Sequence, residues 1–225
     1  MANRENEVRD AKIGPGEVHL WRLSLAALRS GARTDVRGIL SVYLGLPPAS
    51  IEIRRAQRGG RPLLAPGLCP GLSFSLTHSD RSGMLAVTHD ASVGVDIERP
   101  RSGLRIDGLI RRFFSDEEQR NLLVLREADR EAAFFRTWVR KEAYLKAAGG
   151  GVPAGLRRFS VSVASGDPPT ILSTELEDGG ASTFSLYDLD VPEGYVGAMA
   201  VDGTGHRISY FGDADLAMDT IRRSR

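Results

Sequence analysis

Two groups of strand-like runs with a helical stretch between them predict an α+β fold. Three observations carry that prediction. Short runs of Val, Ile, Leu and Phe between residues 18 and 97 are broken by Gly, Pro and Asp, as half-buried strands and their turns are. From Gly103 the pattern becomes helical, and it stops at Gly149-Gly150-Gly151. Strand-like runs then resume between Phe159 and Phe211. Helices inserted between groups of strands give α+β as the class.

Taken in order, Val18–Leu23 reads as a strand, and Thr34–Leu44 as a short helix ended near Gly45 and Pro47. Ile51–Ala56 alternates apolar and polar residues, the period of a strand with one wet face. Gly59-Gly60-Arg61-Pro62 is a turn. Leu72–Thr77, Met84–Thr88 and Val93–Ile97 are strands punctuated by Gly83 and Asp90. Ser115 with Glu118 three residues on is a capping-box pattern ahead of Leu122 and Leu123, so a helix starts there. A long helix runs from about Arg130 to Ala148, with Gly149–Gly151 as its C-cap and turn. Phe159–Val163, Phe184–Leu189, Tyr195–Ala200 and Ile208–Phe211 are strands, and Ala214–Arg222 is a final short helix. Pro100–Gly103 is the expected boundary between a first half, residues 1–102, and a second, residues 103–225.

The 225 residues suffice for one large domain or two small ones with a real core. A formal net charge of +1 gives no bulk basicity for nucleic acid, so no such partner is expected. Cys69 is the only cysteine, which excludes a disulfide or a cysteine zinc cluster within the chain. No apolar run reaches transmembrane length, and the polar start lacks the apolar segment of a signal peptide. No membrane partner and a cytoplasmic, reducing location are therefore expected. The basic residues are almost all arginine; the only lysines are Lys12, Lys141 and Lys146. Where arginine is the default cation, a lysine suggests a need for a compact, titratable ammonium.

Two of those lysines belong to Trp138-Val139-Arg140-Lys141-Glu142-Ala143-Tyr144-Leu145-Lys146. At about 100° per residue, Glu142 and Lys146 fall inside a stripe made by Phe134, Phe135, Trp138, Val139, Ala143 and Leu145. Arg136, Arg140 and Lys141 fall at the side or back of the helix. Ionised groups on a core-facing stripe cost several kcal/mol unless they are paired, bound to metal or at a wet cleft. A structural Glu–Lys pair one turn apart accounts for them as well as a site does. In Val93–Glu98, Asp96 and Glu98 share the face opposite Val95 and Ile97. Two carboxylates there repel unless a cation lies between them or the face is simply solvated. His78 ends the strand Phe74-Ser75-Leu76-Thr77-His78-Ser79 among hydroxyls, where a histidine is most often an ordinary polar residue.

Jointly these segments are specific. Gly94-Val95-Asp96-Ile97-Glu98 and, about 45 residues on, Trp138-x-x-Lys141-Glu142-Ala143-x-x-Lys146 resemble the paired signature of the 4′-phosphopantetheinyl transferases of the Sfp type. Gly60-Arg61-Pro62 resembles the family's Gly-Lys-Pro turn, and Phe74–Ser79 its Asn-Phe-Ser-x-Ser-His-Ser strand. Arg112-Phe113-Phe114-Ser115-x-x-Glu118 resembles its Arg-Phe-Phe-x-x-x-Glu element, and the likeness runs in order over about residues 17–210. The resemblance implies a monomer of two similar α/β halves with the active site in the cleft between them. It implies transfer of the phosphopantetheine arm of coenzyme A, the co-substrate, to a serine of an acyl- or peptidyl-carrier protein, releasing 3′,5′-ADP. Mg²⁺ is the implied cofactor, held by Asp96, Glu98 and Glu142. Glu142 is also the implied general base, directly or through a water. Lys146 is implied to be catalytic, neutralising charge on the pyrophosphate oxygens.

Asp96 and Lys146 thereby count among the coenzyme A contacts, with Thr77 and His78 at the phosphates and Arg61 near the adenine nucleotide. Glu118 matches a family carboxylate, though its cap is reason enough for it. Leu23–Leu44 is shorter than the family's basic stretch, leaving Arg33 and Arg37 for the 3′-phosphate. That shortening keeps open a non-catalytic carrier-protein binder that has lost coenzyme A affinity. A metal-dependent phosphoester hydrolase using the same carboxylates is the third reading.

Overall fold

The computed structural model describes residues 13–24, 33–55, 61–101, 103–149, 155–176 and 184–212. The first elements are β1 (Glu17–Ser24), α1 (Arg33–Leu44), β2 (Ile53–Arg55), β3 (Pro62–Leu64), β4 (Leu72–Ser79), β5 (Ser82–His89) and β6 (Val93–Glu98). Three helices follow: α2 (Ile106–Phe113), α3 (Asp116–Leu123) and α4 (Glu127–Ala147). The remaining strands are β7 (Phe159–Val161), β8 (Ile171–Thr174), β9 (Phe184–Asp188), β10 (Val196–Asp202) and β11 (Arg207–Phe211). This is the expected α+β class. The turn residues Gly59 and Gly60, the glycines Gly150 and Gly151, and the final helix Ala214–Arg222 lie outside the described residues.

One main sheet has the order β11-β1-β5-β4 and the other β6-β10-β9. Strand β1 pairs antiparallel with β5 and parallel with β11, and β10 pairs antiparallel with β6 and β9. Each sheet therefore combines strands from before and after residue 102. The period of two explains how they pack. Val18, Leu20, Met84 and Ala86 of one sheet meet Val93, Val95, Ile97, Met199 and Val201 of the other in a shared core. Trp21, Leu23, Phe74, Leu85 and Val87 point the other way, onto Val36, Ile39 and Leu40 of α1. Both faces of β1 and β5 are thus covered, so these strands are apolar on both.

Helix α4 has more of its circumference covered than a one-sided stripe allows. Val139, Ala143 and Leu145 pack with Phe159, Val161, Leu186 and Ala198, while Phe134 and Phe135 join Ile110, Phe114 and Leu122 of α2, its C-cap and α3. The side and back of the helix, where Arg140 and Lys141 were expected, are covered by other elements, and the two residues are 1% and 0% exposed. Their charges are paired instead. Lys141 Nζ donates to both oxygens of Glu118, at 2.8 and 2.7 Å, and to the Phe159 carbonyl at 2.6 Å. Arg140 forms a fork to Asp188 at 2.8 and 2.5 Å and donates to the Ser162 carbonyl at 2.7 Å. The capping box forms as read, with Ser115 N donating to Glu118 and Glu118 N to Ser115. Helix α4 starts at Glu127, earlier than the expected Arg130, and strand β8 was not anticipated. No described helix is long and apolar enough to cross a membrane.

Candidate active site

The site is set by how closely α4 lies on β6. Gly94 has no side chain, and a Cβ there would stand 2.0 Å from the Ala143 carbonyl oxygen and 2.5 Å from Ala147 N. Only glycine admits that approach. Two residues on, the same face of β6 presents Asp96, and α4 presents Lys146. Lys146 Nζ donates to Asp96 Oδ1 at 2.7 Å and to the Val95 carbonyl at 3.1 Å. Thr77 Oγ1 donates to the same Oδ1 at 3.0 Å. The ion pair of Lys146 is therefore with Asp96 on the facing strand, not with Glu142 one turn back on its own helix.

That pairing leaves oxygens unsatisfied. Asp96 Oδ2 and Glu142 Oε1 are buried without a hydrogen-bond partner, although buried polar atoms are nearly always bonded. Burial pushes the Glu142 carboxyl up to about 7, helped by the charges of Asp96 and Glu98 and opposed by Lys146. Burial also raises Asp96, against the pull of Lys146 and Thr77. It raises Glu98 too, against a hydrogen bond from Ser79. Asp96, Glu98, Glu142 and Lys146 thus lie within electrostatic reach of one another. Among the described residues no three acidic, His or Cys side chains form a ready metal cage. Mg²⁺ does not need one: it usually takes one or two carboxylates and completes its shell with water and substrate phosphates. The orphaned carboxylate oxygens of Asp96 and Glu142 are hard anionic donors of the kind it takes.

Arg61 reaches the same end of α4. Its Nη1 donates to the Lys146 carbonyl at 2.8 Å, satisfying one of the open carbonyls of the last turn, and burial lowers its pKa. Gly149, at φ +76°, closes the helix in the left-handed conformation. Thr77 and His78 are neighbours on an edge strand but point to opposite faces. Thr77 is buried against Asp96, whereas His78 is exposed, so one ligand touching both must straddle the edge of β4. Arg37 is half-buried on α1, with its Nε buried and unpartnered; the Arg33 side chain lies outside the described residues. Glu118 faces Lys141 and stands apart from this group. Sequence reasoning passed over Ser75 and Ser79. Their signal was present, since Ser75, Thr77 and Ser79 alternate along β4 and so share a face.

Comparison with known proteins points to one family. The family model for the 4′-phosphopantetheinyl transferase superfamily matches residues 92–200, the span from β6 to β10. The chain is 30% identical over 220 residues to the 4′-phosphopantetheinyl transferase HetI of Nostoc sp., covering 84% of this chain and 89% of that one. It is 28% identical over 156 residues to the 4′-phosphopantetheinyl transferase Sfp of Bacillus subtilis, covering 69% and 66%. A holo-(acyl-carrier-protein) synthase from Bacillus anthracis, solved in complex with CoA (3′,5′-ADP), overlays 50% of this chain and 96% of its own at 17% identity. With a TM-score of 0.39, that overlay leaves the assignment resting on sequence. The match to HetI covers most of both chains, and residues 92–200, which the family model matches, take in the carboxylates and lysine that meet between β6 and α4. The chain belongs to the 4′-phosphopantetheinyl transferase superfamily, as a member of its Sfp type.

Proposed function

We propose that this transferase takes the 4′-phosphopantetheine group from coenzyme A, with Mg²⁺, and attaches it to a serine of an acyl- or peptidyl-carrier protein. The observation that carries the reading is a pair of buried, unpartnered carboxylate oxygens beside a lysine ammonium. Residues 1–102 supply Thr77, Asp96 and Glu98, and residues 103–225 supply Glu142 and Lys146, so the reaction draws its groups from both sides of residue 102. Asp96 and Glu142, with Glu98, would hold the Mg²⁺, which when bound offsets the charge of the pyrophosphate. Glu142, whose buried carboxyl is raised to about 7 in the metal-free protein, would take the proton, directly or through a water. The carrier serine hydroxyl gives its proton to Glu142 while its oxygen bonds to the phosphorus carrying the pantetheine arm. The bond from that phosphorus to the bridging oxygen breaks, and 3′,5′-ADP leaves with the electron pair. Lys146 carries its ammonium beside Asp96 and stabilises the charge that builds on the departing oxygens. The reading brings with it a monomer in a reducing compartment, with neither nucleic acid nor membrane as partner.

The test is mass spectrometry of several apo-carrier proteins incubated with the protein, coenzyme A and Mg²⁺. The expected result is a gain of the phosphopantetheine mass on at least one carrier. Glu142→Gln should slow that gain by about 10²–10⁴-fold, the usual contribution of a general base. Carrier binding with no mass gain on any carrier would overturn the transfer and leave the non-catalytic binder. Release of free phosphopantetheine without a carrier would point to the hydrolase.

A further inference from the structure

The free edge of β6 faces β4, yet the two strands belong to different sheets. An unpaired strand edge leaves N–H groups without partners. Here side-chain hydroxyls meet them. Ser75 Oγ accepts from Val95 N at 3.1 Å, and Ser79 Oγ accepts from Arg99 N at 3.1 Å. Because the Ser79 oxygen is engaged by that N–H, its own proton is free to turn to Glu98, and it donates to Glu98 Oε2 at 2.7 Å. Thr77 makes the middle rung, to Asp96 Oδ1. Ser79 is itself buried and braced: Arg99 pairs with Asp80 at 2.5 Å, tying the β4–β5 turn to the end of β6.

We propose that Ser79 is a positioning residue for Glu98. Resting on the reading of Asp96, Glu98 and Glu142 as metal carboxylates, its hydroxyl fixes which oxygen of Glu98 is held against β4 and which way the carboxylate turns. The backbone N–H of Arg99 fixes the hydroxyl in turn. Ser75 serves as the internal comparison, because it is a rung of the same ladder but touches no carboxylate.

The experiment is a titration of the free protein with Mn²⁺, followed by the loss of the free-ion electron paramagnetic resonance signal, with and without coenzyme A. Ser79→Ala should weaken Mn²⁺ binding by about 10–100-fold, as loss of a group orienting a metal ligand does. Ser79→Thr keeps a hydroxyl and should restore most of the affinity. Ser75→Ala should lower the urea midpoint yet bind Mn²⁺ as the unaltered protein does. Ser79→Ala binding at the unaltered affinity, or Ser75→Ala losing affinity by the same factor, overturns the inference while the metal reading stands. An unaltered protein that binds no Mn²⁺ even with coenzyme A overturns both.

Discussion

Glu118→Ala should be among the most damaging single changes in this chain, although Glu118 stands apart from the reacting groups. Its carboxylate is 0% exposed and takes two of the three hydrogen bonds of the Lys141 ammonium. It also accepts Val161 N at 2.9 Å and Ser115 N at 2.9 Å. The change leaves a fully buried ammonium with the Phe159 carbonyl alone, and two backbone N–H groups without partners. Breaking one side of a buried ion pair costs about 3–5 kcal/mol. With a urea slope of about 2 kcal/mol per molar, the midpoint should fall by about 2 M. Pairing Glu118→Gln with Lys141→Met removes both charges and keeps one carbonyl acceptor. That double variant should be more stable than the summed single losses predict, by up to about 3 kcal/mol of coupling. Equilibrium urea unfolding followed by tryptophan fluorescence and circular dichroism reads the unaltered protein, Glu118→Ala, the Glu118→Gln and Lys141→Met single variants and the double variant. Glu118→Ala costing less than about 1 kcal/mol, or effects that simply add, would refute the claim that this pair anchors α3 and β7 to α4.

Gly94→Ala places a Cβ against backbone atoms of α4 that no rotamer change can move. The expected loss is about 1–3 kcal/mol of stability, with a larger fractional loss of transfer because Lys146 is drawn from Asp96; unaltered turnover would contradict this. The pH dependence of the metal-free protein follows from Glu142, whose folded carboxyl lies at about 7 against an ordinary 4.5. Because the folded value is raised, its stabilising contribution is complete below about pH 4.5 and is lost as pH rises through about 7, by up to about 3 kcal/mol. Urea midpoints in EDTA should therefore fall between pH 5 and pH 8, and Glu142→Gln should shrink that fall; an equal fall in both proteins would count against it.

The elements that could be read in the sequence are those whose cause is local. The capping box is a four-residue pattern, and it forms as read. The shared face of Asp96 and Glu98 follows from the period of two, and the place of Glu142 and Lys146 from that of the helix. What could not be read depends on neighbours distant in sequence. A helix expected to be apolar on one stripe becomes buried at Arg140 and Lys141 because other elements cover its remaining faces. Their partners Asp188 and Glu118 are local to other elements, and nothing in the nine-residue motif names them. The parallel pairing of β1 with β11 joins the two ends of the described chain, a contact that no periodicity reports.

The same limit decides what the two charges in the apolar stripe do. Read along α4 alone, Glu142 and Lys146 are one turn apart and look made for each other. Had they paired, the glutamate would be satisfied, its carboxyl would be held low, and it would be a poor base at neutral pH. The approach permitted by Gly94 brings β6 close enough for Asp96 to take the ammonium instead. Thr77 adds a second donor to the same Asp96 oxygen. Glu142 is left buried beside two other carboxylates, and its carboxyl rises. One glycine on the facing strand thus separates a structural ion pair from a group able to accept a proton.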